Sequence, residues 1–251
     1  MRYFRAFLMT LGMFSAIPAP ENIWDADLMP MMLPCLPVIG ALIGAVWYGV
    51  ALLLGLAGFS PMIQSAAVML APFILCGFIH AEGYMDTADA VFSRRSAEEK
   101  KRILKDPHAG AFGVIALAVL FLLQFCAVFT FVSSQSCLIM VVFIPILSRC
   151  AAGAATLNCR AMSDTGYAAL FKQNTKPRHT VFICVLAVIA AVLAWYSSGS
   201  AGLIILFTEV LAGVLAAAWL YRQFGGLSGD LGGFIITVSE LAGVLCLAVL
   251  A

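Results

Sequence analysis

Apolar residues fall into seven runs: 33–58, 61–79, 111–132, 136–157, 180–196, 201–220 and 234–251. The first is entered through Pro30, Pro34 and Pro37. Each run is long enough, or nearly so, to cross a hydrocarbon core of about 30 Å as a helix. Helix is the open form such a segment can take, because lipid offers no partner to free backbone groups. Two longer polar stretches, 80–110 and 158–179, and a Gly-rich link, 221–233, interrupt the runs. Ahead of them Phe4, Phe7, Leu8, Leu11 and Phe14 recur at helical spacing, which predicts a helix lying in the membrane interface. The same segment has the outline of a short signal peptide, with two Arg before an apolar stretch. The interfacial helix is the preferred reading, because a membrane chain and not a secreted domain follows. The pattern therefore predicts an all-α polytopic integral membrane protein. It has about seven transmembrane helices plus an N-terminal interfacial helix, in a single domain over 1–251.

Composition removes the alternatives. Of 251 residues 63% are apolar and 11% are charged, against roughly 25% charged in a soluble domain. Mean hydropathy is +1.03. A soluble enzyme, a disordered chain, a secreted disulfide scaffold and a nucleic-acid binder are excluded. The net charge of +1 gives no field that would gather a polyanion. None of the eight cysteines forms a CxxC pair, so they read as small buried apolar residues and not as a thiolate metal site.

Charge placement supports the span count. With seven spans, one side receives the N-terminus and the links 80–110, 158–179 and 221–233. These hold 13 of the 14 basic residues, and Arg149 sits in the fourth run near the same end. The opposite links hold no Lys or Arg. The positive-inside bias makes the charged side cytoplasmic, so the expected location is the cytoplasmic (inner) membrane with the N-terminus and the active face inside. Glu209 and Glu240 lie within runs, where ionisable groups are costly and are functional or paired.

The chemistry gathers on that face. Glu82, Asp86 and Asp89 are spaced i, i+4, i+7, which puts them within an arc of roughly 60° on one helix face. Three carboxylates so placed repel one another unless a cation joins them. Mg²⁺ takes oxygen ligands and bridges carboxylates to substrate phosphates, so the functional reading is a Mg²⁺-diphosphate site. The bland reading is an acidic, solvated helix end. Gly83 would allow close backbone approach, or would merely loosen the helix; His80 points off the carboxylate face. Ser96–Glu99 fits a capping box, which makes 98–102 a solvated helix turn. Lys105 and Asp106 would face phosphates and a metal, or simply end that helix before Gly110.

Three further features are ambiguous. Gly225, Gly226, Gly229 and Asp230 belong to a link with five glycines in nine residues, able to offer bare N–H groups to a phosphate just before a helix start. The same glycines would serve a tight interhelical turn, and the spacing is not that of a Walker loop. Arg149 inside a run needs a partner, either Glu209, Glu240 or a substrate phosphate. Trp47 and Trp195 read as interface anchors. No nucleophile with a histidine partner is visible, and no internal repeat supports a transporter built on one.

With these residues in hand, the chain resembles the cobalamin synthase family, adenosylcobinamide-GDP ribazoletransferase. The family pattern H-x-D-G-x-x-D-T-x-D-x-x-F, then K/R-D-S-R-x-G, is matched by His80, Glu82-Gly83, Asp86-Thr87, Asp89 and Phe92, then Lys105-Asp106-Pro107-His108 and Gly110. Its late G-G-x-x-G-D with a following E-L is matched by Gly225-Gly226, Gly229-Asp230 and Glu240-Leu241. An early I-P-x-P is matched at Ile17–Pro20, and an S-R at Ser148-Arg149. Glu82 departs from the usual Asp, and Pro107-His108 from Ser-Arg. The resemblance implies attack by the ribose 3′-hydroxyl of α-ribazole, or of its 5′-phosphate, on the cobinamide-linked phosphate of adenosylcobinamide-GDP, with release of GMP and use of Mg²⁺. It implies that Glu82, Asp86 and Asp89 hold Mg²⁺ and that one of them, or Asp106, assists proton transfer. His80, Gly83, Lys105, Gly110, Arg149 and the Gly-Asp link would bind substrate. A CDP-alcohol phosphotransferase is the alternative enzyme, but its D-G-x-x-D-G-x-x-A-R pattern is absent. A transporter is the alternative of another class, and the crowding of acids at one face counts against it.

Overall fold

The computed structural model describes residues 2–134, 137–173 and 175–251. Its helices are α1 (Arg2–Phe14), α2 (Met29–Leu56), α3 (Pro61–Leu75), α4 (Ile79–Phe92), α5 (Ala97–Ile103), α6 (Ala111–Ser134), α7 (Ile144–Asn158), α8 (Tyr167–Lys172), α9 (Pro177–Phe224) and α10 (Gly229–Leu250). Among the described residues there is no strand, only an isolated parallel bridge between Ala161 and Leu227. The link 133–135 and the start of the fourth run reach Gln135 and Ser136, which lie outside the described residues, as does Asn174 of the stretch 158–179.

Among the described residues five helices are long and apolar enough to cross a membrane, and α3 with α4, bent by 88° at their junction, has the length and composition of a broken span or a re-entrant loop. The 48 residues of α9 are too many for one crossing, because as a rod they would reach about 72 Å. The chain reverses within α9 at Gly199, whose φ of 58° and ψ of −142° are not helical. A Cβ on Gly202 would lie 2.6 Å from the carbonyl oxygen of Ala194, eight residues away and about 12 Å off in a straight helix. The two arms of α9 therefore stand where the sequence predicts the fifth and sixth spans.

Packing is close where side chains are small. On α2, a Cβ at Gly40 would overlap the carbonyl of Pro145, and one at Gly44 the carbonyl of Val142. This four-residue spacing of glycines lets α2 lie backbone to backbone against α7 and the turn before it. The structure corrects one expectation here. Trp47 is fully buried, and its indole N–H donates to the Val68 carbonyl at 2.6 Å. It is a core residue joining α2 to α3 and not an interface anchor; Trp195 is half exposed near the Gly199 reversal.

A helix stands where the N-terminal spacing predicts one, as α1. It is amphipathic, burying Ala6, Met9, Thr10 and Leu11. Its Thr10 hydroxyl reaches the Met32 carbonyl of α2 at 3.2 Å. Arg5 ties the following loop down through the carbonyls of Ile23 and Trp24 and the carboxylate of Asp25.

Candidate active site

The site is built by a break in the chain. α3 ends at Leu75, capped by Cys76, and Gly77 and Phe78 both take φ near 60°. Glycine adopts this readily, whereas Phe78 does so against its side chain, as chains do where tertiary structure dictates the path. The break redirects α4 and lays it along the start of α10. A Cβ on Gly83 would come 2.8 Å from the Asp230 carbonyl oxygen, so the glycine is what allows the two backbones to meet. The Thr237 hydroxyl donates to the His80 carbonyl at 3.1 Å, locking the same pair of helices one step deeper.

At this junction lies a cavity of about 320 Å³. Glu82 and Asp86 reach it from α4, and Ser228, Gly229 and Asp230 from the start of α10. His80 is in its wall, buried, with its Nε2 lacking a hydrogen-bond partner. A second cavity of about 350 Å³ adjoins it, lined by Lys105, Ser163, Thr165 and the same Ser228–Asp230 segment. The negative charges of Asp230, Glu82 and Asp89 all bear on Asp86. Among the described residues no Lys or Arg forms an ion pair with any of the four.

That crowding of hard oxygen donors without a cationic side chain fits a hard divalent cation. In the described conformation no three His, Cys, Asp or Glu side chains among the described residues converge closely enough to chelate an ion. An ion bound there would need oxygen ligands from substrate or water to complete its shell.

Asp89 is turned to another neighbour. Its Oδ1 accepts the Gly113 N–H at 3.2 Å, and its carboxylate fills the space where a side chain at Gly110 would stand. It therefore anchors the first turn of α6 in the manner of a helix cap. Asp106 lies outside both cavities, exposed. The His108 N–H at 3.0 Å and ring at 2.8 Å hold its carboxyl below the ordinary range. Lys105, its neighbour, does line the second cavity.

The Gly-rich link divides its work. Gly225 ends α9 with φ of 71°, its N–H on the Tyr221 carbonyl. Gly226 lies so close to the Met162 backbone that a Cβ would come within 2.7 Å. Leu227 then exchanges backbone hydrogen bonds of 2.8 Å with Arg160 and Met162. These residues fix the path of the link, while Gly229 and Asp230 face the cavities. α10 starts at Gly229, earlier than the apolar run, because the Ser228 side chain caps it by accepting the Leu231 N–H.

Arg149 is not brought to the cavity. It is wholly buried, and it pairs with Glu240 at 2.6 Å midway along α7 and α10, deeper than the charged end where the sequence places it. Residues that sequence reasoning passed over are Phe14, Tyr167 and Phe171, which wall the first cavity. In a chain this apolar, no local signal separates them from lipid-facing aromatics.

Comparison with known proteins adds an independent line. A family model described as cobalamin-5-phosphate synthase matches residues 6–248. Curated relatives named adenosylcobinamide-GDP ribazoletransferase include one from Clostridium botulinum (strain Alaska E43 / Type E3). It is 34% identical over 241 residues, 96% of each chain. One from Clostridium perfringens (strain 13 / Type A) is 32% identical over 248 residues, 99% of each. One from Geobacillus kaustophilus is 32% identical over 243 residues, 93% of this chain and 91% of the relative. No solved structure matches.

Proposed function

The chain belongs to the cobalamin-5-phosphate synthase family, and from that membership we infer the reaction its cavity serves. It is an adenosylcobinamide-GDP ribazoletransferase, acting late in cobalamin biosynthesis. The observation that carries this reading is the match along residues 6–248, within which Glu82, Asp86 and Asp230 open on one cavity.

The ribose 3′-hydroxyl of α-ribazole, or of its 5′-phosphate, attacks the cobinamide-linked phosphorus of adenosylcobinamide-GDP. A new phosphorus–oxygen bond forms, the bond to the bridging diphosphate oxygen breaks, GMP leaves, and the hydroxyl proton is released. We assign that proton to Asp86, which faces the cavity among other carboxylates. Lys105 stands over the adjoining cavity, where a cationic head would steady phosphate oxygens. The N–H groups opening α10 at Gly229 and Asp230 point a helix start at the same place, suited to a phosphate. Mg²⁺ is the cofactor we propose; Glu82, Asp86 and Asp230 would hold it only on closing together around it with substrate oxygens, and when bound it would offset diphosphate charge as GMP departs. Asp89 would join that set only on leaving Gly113.

The charge bias sets the expected orientation: the cavity faces the cytoplasm, in the inner membrane. The test is direct. Purified protein in liposomes is incubated with adenosylcobinamide-GDP, α-ribazole and Mg²⁺, with an EDTA control. Release of GMP with formation of adenosylcobalamin is expected, and its absence from well-folded protein would remove the reading.

A further inference from the structure

The first cavity has a wall that the acidic cluster does not explain. Four rings follow one another along it, from α8 across α1 to α4. Tyr167 and Phe171 have centroids 6.3 Å apart with planes at 27°. Phe171 and Phe14 are 6.1 Å apart at 38°, and Phe14 and His80 are 6.3 Å apart at 24°. Tyr167 is 55% exposed at the mouth, while Phe171 is buried. All four rings line the same cavity. The adjoining cavity has no such wall. Its lining brings Lys105, Ser163 and Thr165 beside Met162 and Leu227, with Tyr167 as its one ring. The two share Tyr167, Ala168 and the Ser228–Asp230 segment, so molecules in both would meet at Asp230.

The two substrates differ in the same sense. One end of the donor is a nucleoside diphosphate, charged and rich in hydrogen-bonding groups. The acceptor is a riboside whose base is flat, fused and weakly polar. Flat bases are held on aromatic side chains by stacking, which needs a π-face and no hydrogen-bond code. Guanine would stack there too, but the diphosphate it carries, set against the rings and away from the carboxylates, would lose its hydration without compensation. Beside Lys105 it would not.

We propose that the ring-lined cavity, with Tyr167 at its mouth, is the subsite for the base of the acceptor riboside, and that the Lys105 cavity takes the guanosine diphosphate end of the donor. This rests on the transferase reading and extends it. With the base against the rings, the ribose comes to the boundary at Asp230, where its hydroxyl meets the phosphate held on the other side.

Tyr167 is the residue to change, because it is half exposed and no hydrogen bond fixes its hydroxyl among the described residues. In liposomes, Tyr167→Ala should raise the KM for α-ribazole about tenfold, the scale of one lost stacking contact. The KM for adenosylcobinamide-GDP, whose cavity Tyr167 borders without a ring stack, should change much less. Tyr167→Phe, which keeps the ring, should restore the acceptor KM. Equilibrium dialysis of α-ribazole against protein without donor gives a readout free of turnover, and Tyr167→Ala should weaken it by the same factor. An unchanged acceptor affinity, or a rise confined to the donor KM, overturns the assignment. Inactive wild-type protein that still binds α-ribazole through Tyr167 would instead indict the transferase reading.

Discussion

Arg149 of α7 donates to Glu240 of α10 across 2.6 Å, with the arginine side chain fully enclosed and that of the acid 10% exposed. The same guanidinium reaches the Cys76 sulfur at 3.2 Å, where α3 breaks before α4. The Ser148 hydroxyl donates to Glu240 at 3.1 Å. One ion pair thus ties two membrane helices to the break that aims α4. Glu209 lies nearby with neither carboxylate oxygen closely hydrogen-bonded.

The energetics of such a pair are lopsided. Removing one partner leaves a charge enclosed without its counterion, at a cost of about 3–5 kcal/mol, whereas replacing both by apolar residues of similar size is often neutral. Glu240→Ala should therefore lower thermal stability in detergent strongly. The double variant Arg149→Met with Glu240→Met should recover most of the loss. A double variant no more stable than Glu240→Ala would show that the pair does more than balance charge.

Gly83 sets how closely α4 meets α10. A methyl group there would stand 2.8 Å from the Asp230 carbonyl oxygen and 3.0 Å from its Cα, both backbone atoms that cannot rotate away. Gly83→Ala should push the helices apart by a few tenths of an ångström or more and separate Asp86 from Asp230. Overpacking of this kind costs roughly 1–3 kcal/mol, and misplacement of reacting groups by about 1 Å lowers rate near a hundredfold. GMP release should fall far more than the melting temperature does. Equal activity in the variant would mean that the two helices shift freely at the site.

The α5 capping box predicts a pH response. The Ser96 hydroxyl and N–H, both on the Glu99 carboxylate at 3.0 and 3.3 Å, hold that carboxyl below its ordinary range. Because the folded-state pKa is the lower one, the stabilisation is complete above the unfolded value, about 4.3. It is lost as pH falls through the depressed folded value. Amide exchange in α5 should therefore be insensitive to the state of Glu99 between pH 7 and 5, beyond the intrinsic exchange rate. It should show extra opening only in more acidic solution, and Glu99→Gln should abolish that added opening.

Much of this architecture is legible in the sequence because lipid leaves few choices. Run length and charge placement predict the spans, and the Gly199 reversal falls between two of them. The capping box and the anomaly of a buried arginine are equally visible. What stays hidden depends on tertiary packing. The partner of Arg149 is 91 residues away, so a cost argument calls for a counterion without choosing between Glu209 and Glu240. Phe78 carries no mark of its left-handed backbone, and a helical-wheel arc places Asp89 with Glu82 and Asp86 because it cannot see Gly110 and Gly113 drawing it aside. Trp47 stays hidden for the same reason: an indole in an apolar run reads as an interface group until a neighbouring carbonyl claims its N–H.

Asp86 and Asp89 have like spacing and charge but different surroundings, and their variants should separate accordingly. Asp86 faces the cavity, where three other carboxylates bear on it. Asp86→Asn keeps the shape and removes the charge, so GMP release should fall about a hundredfold or more, the scale for deleting one preorganised electrostatic group. The folded protein should persist, and Mn²⁺ binding followed by electron paramagnetic resonance should weaken in parallel. Asp89 holds the Gly113 N–H, a task an amide oxygen also performs. Asp89→Asn should therefore retain stability and most Mn²⁺ affinity, while Asp89→Ala should lose about 1 kcal/mol of stability, as a lost helix cap does. If Asp89→Asn instead abolishes Mn²⁺ binding as Asp86→Asn does, the carboxylate leaves Gly113 when the ion enters, and the three acids of α4 act as one ligand set.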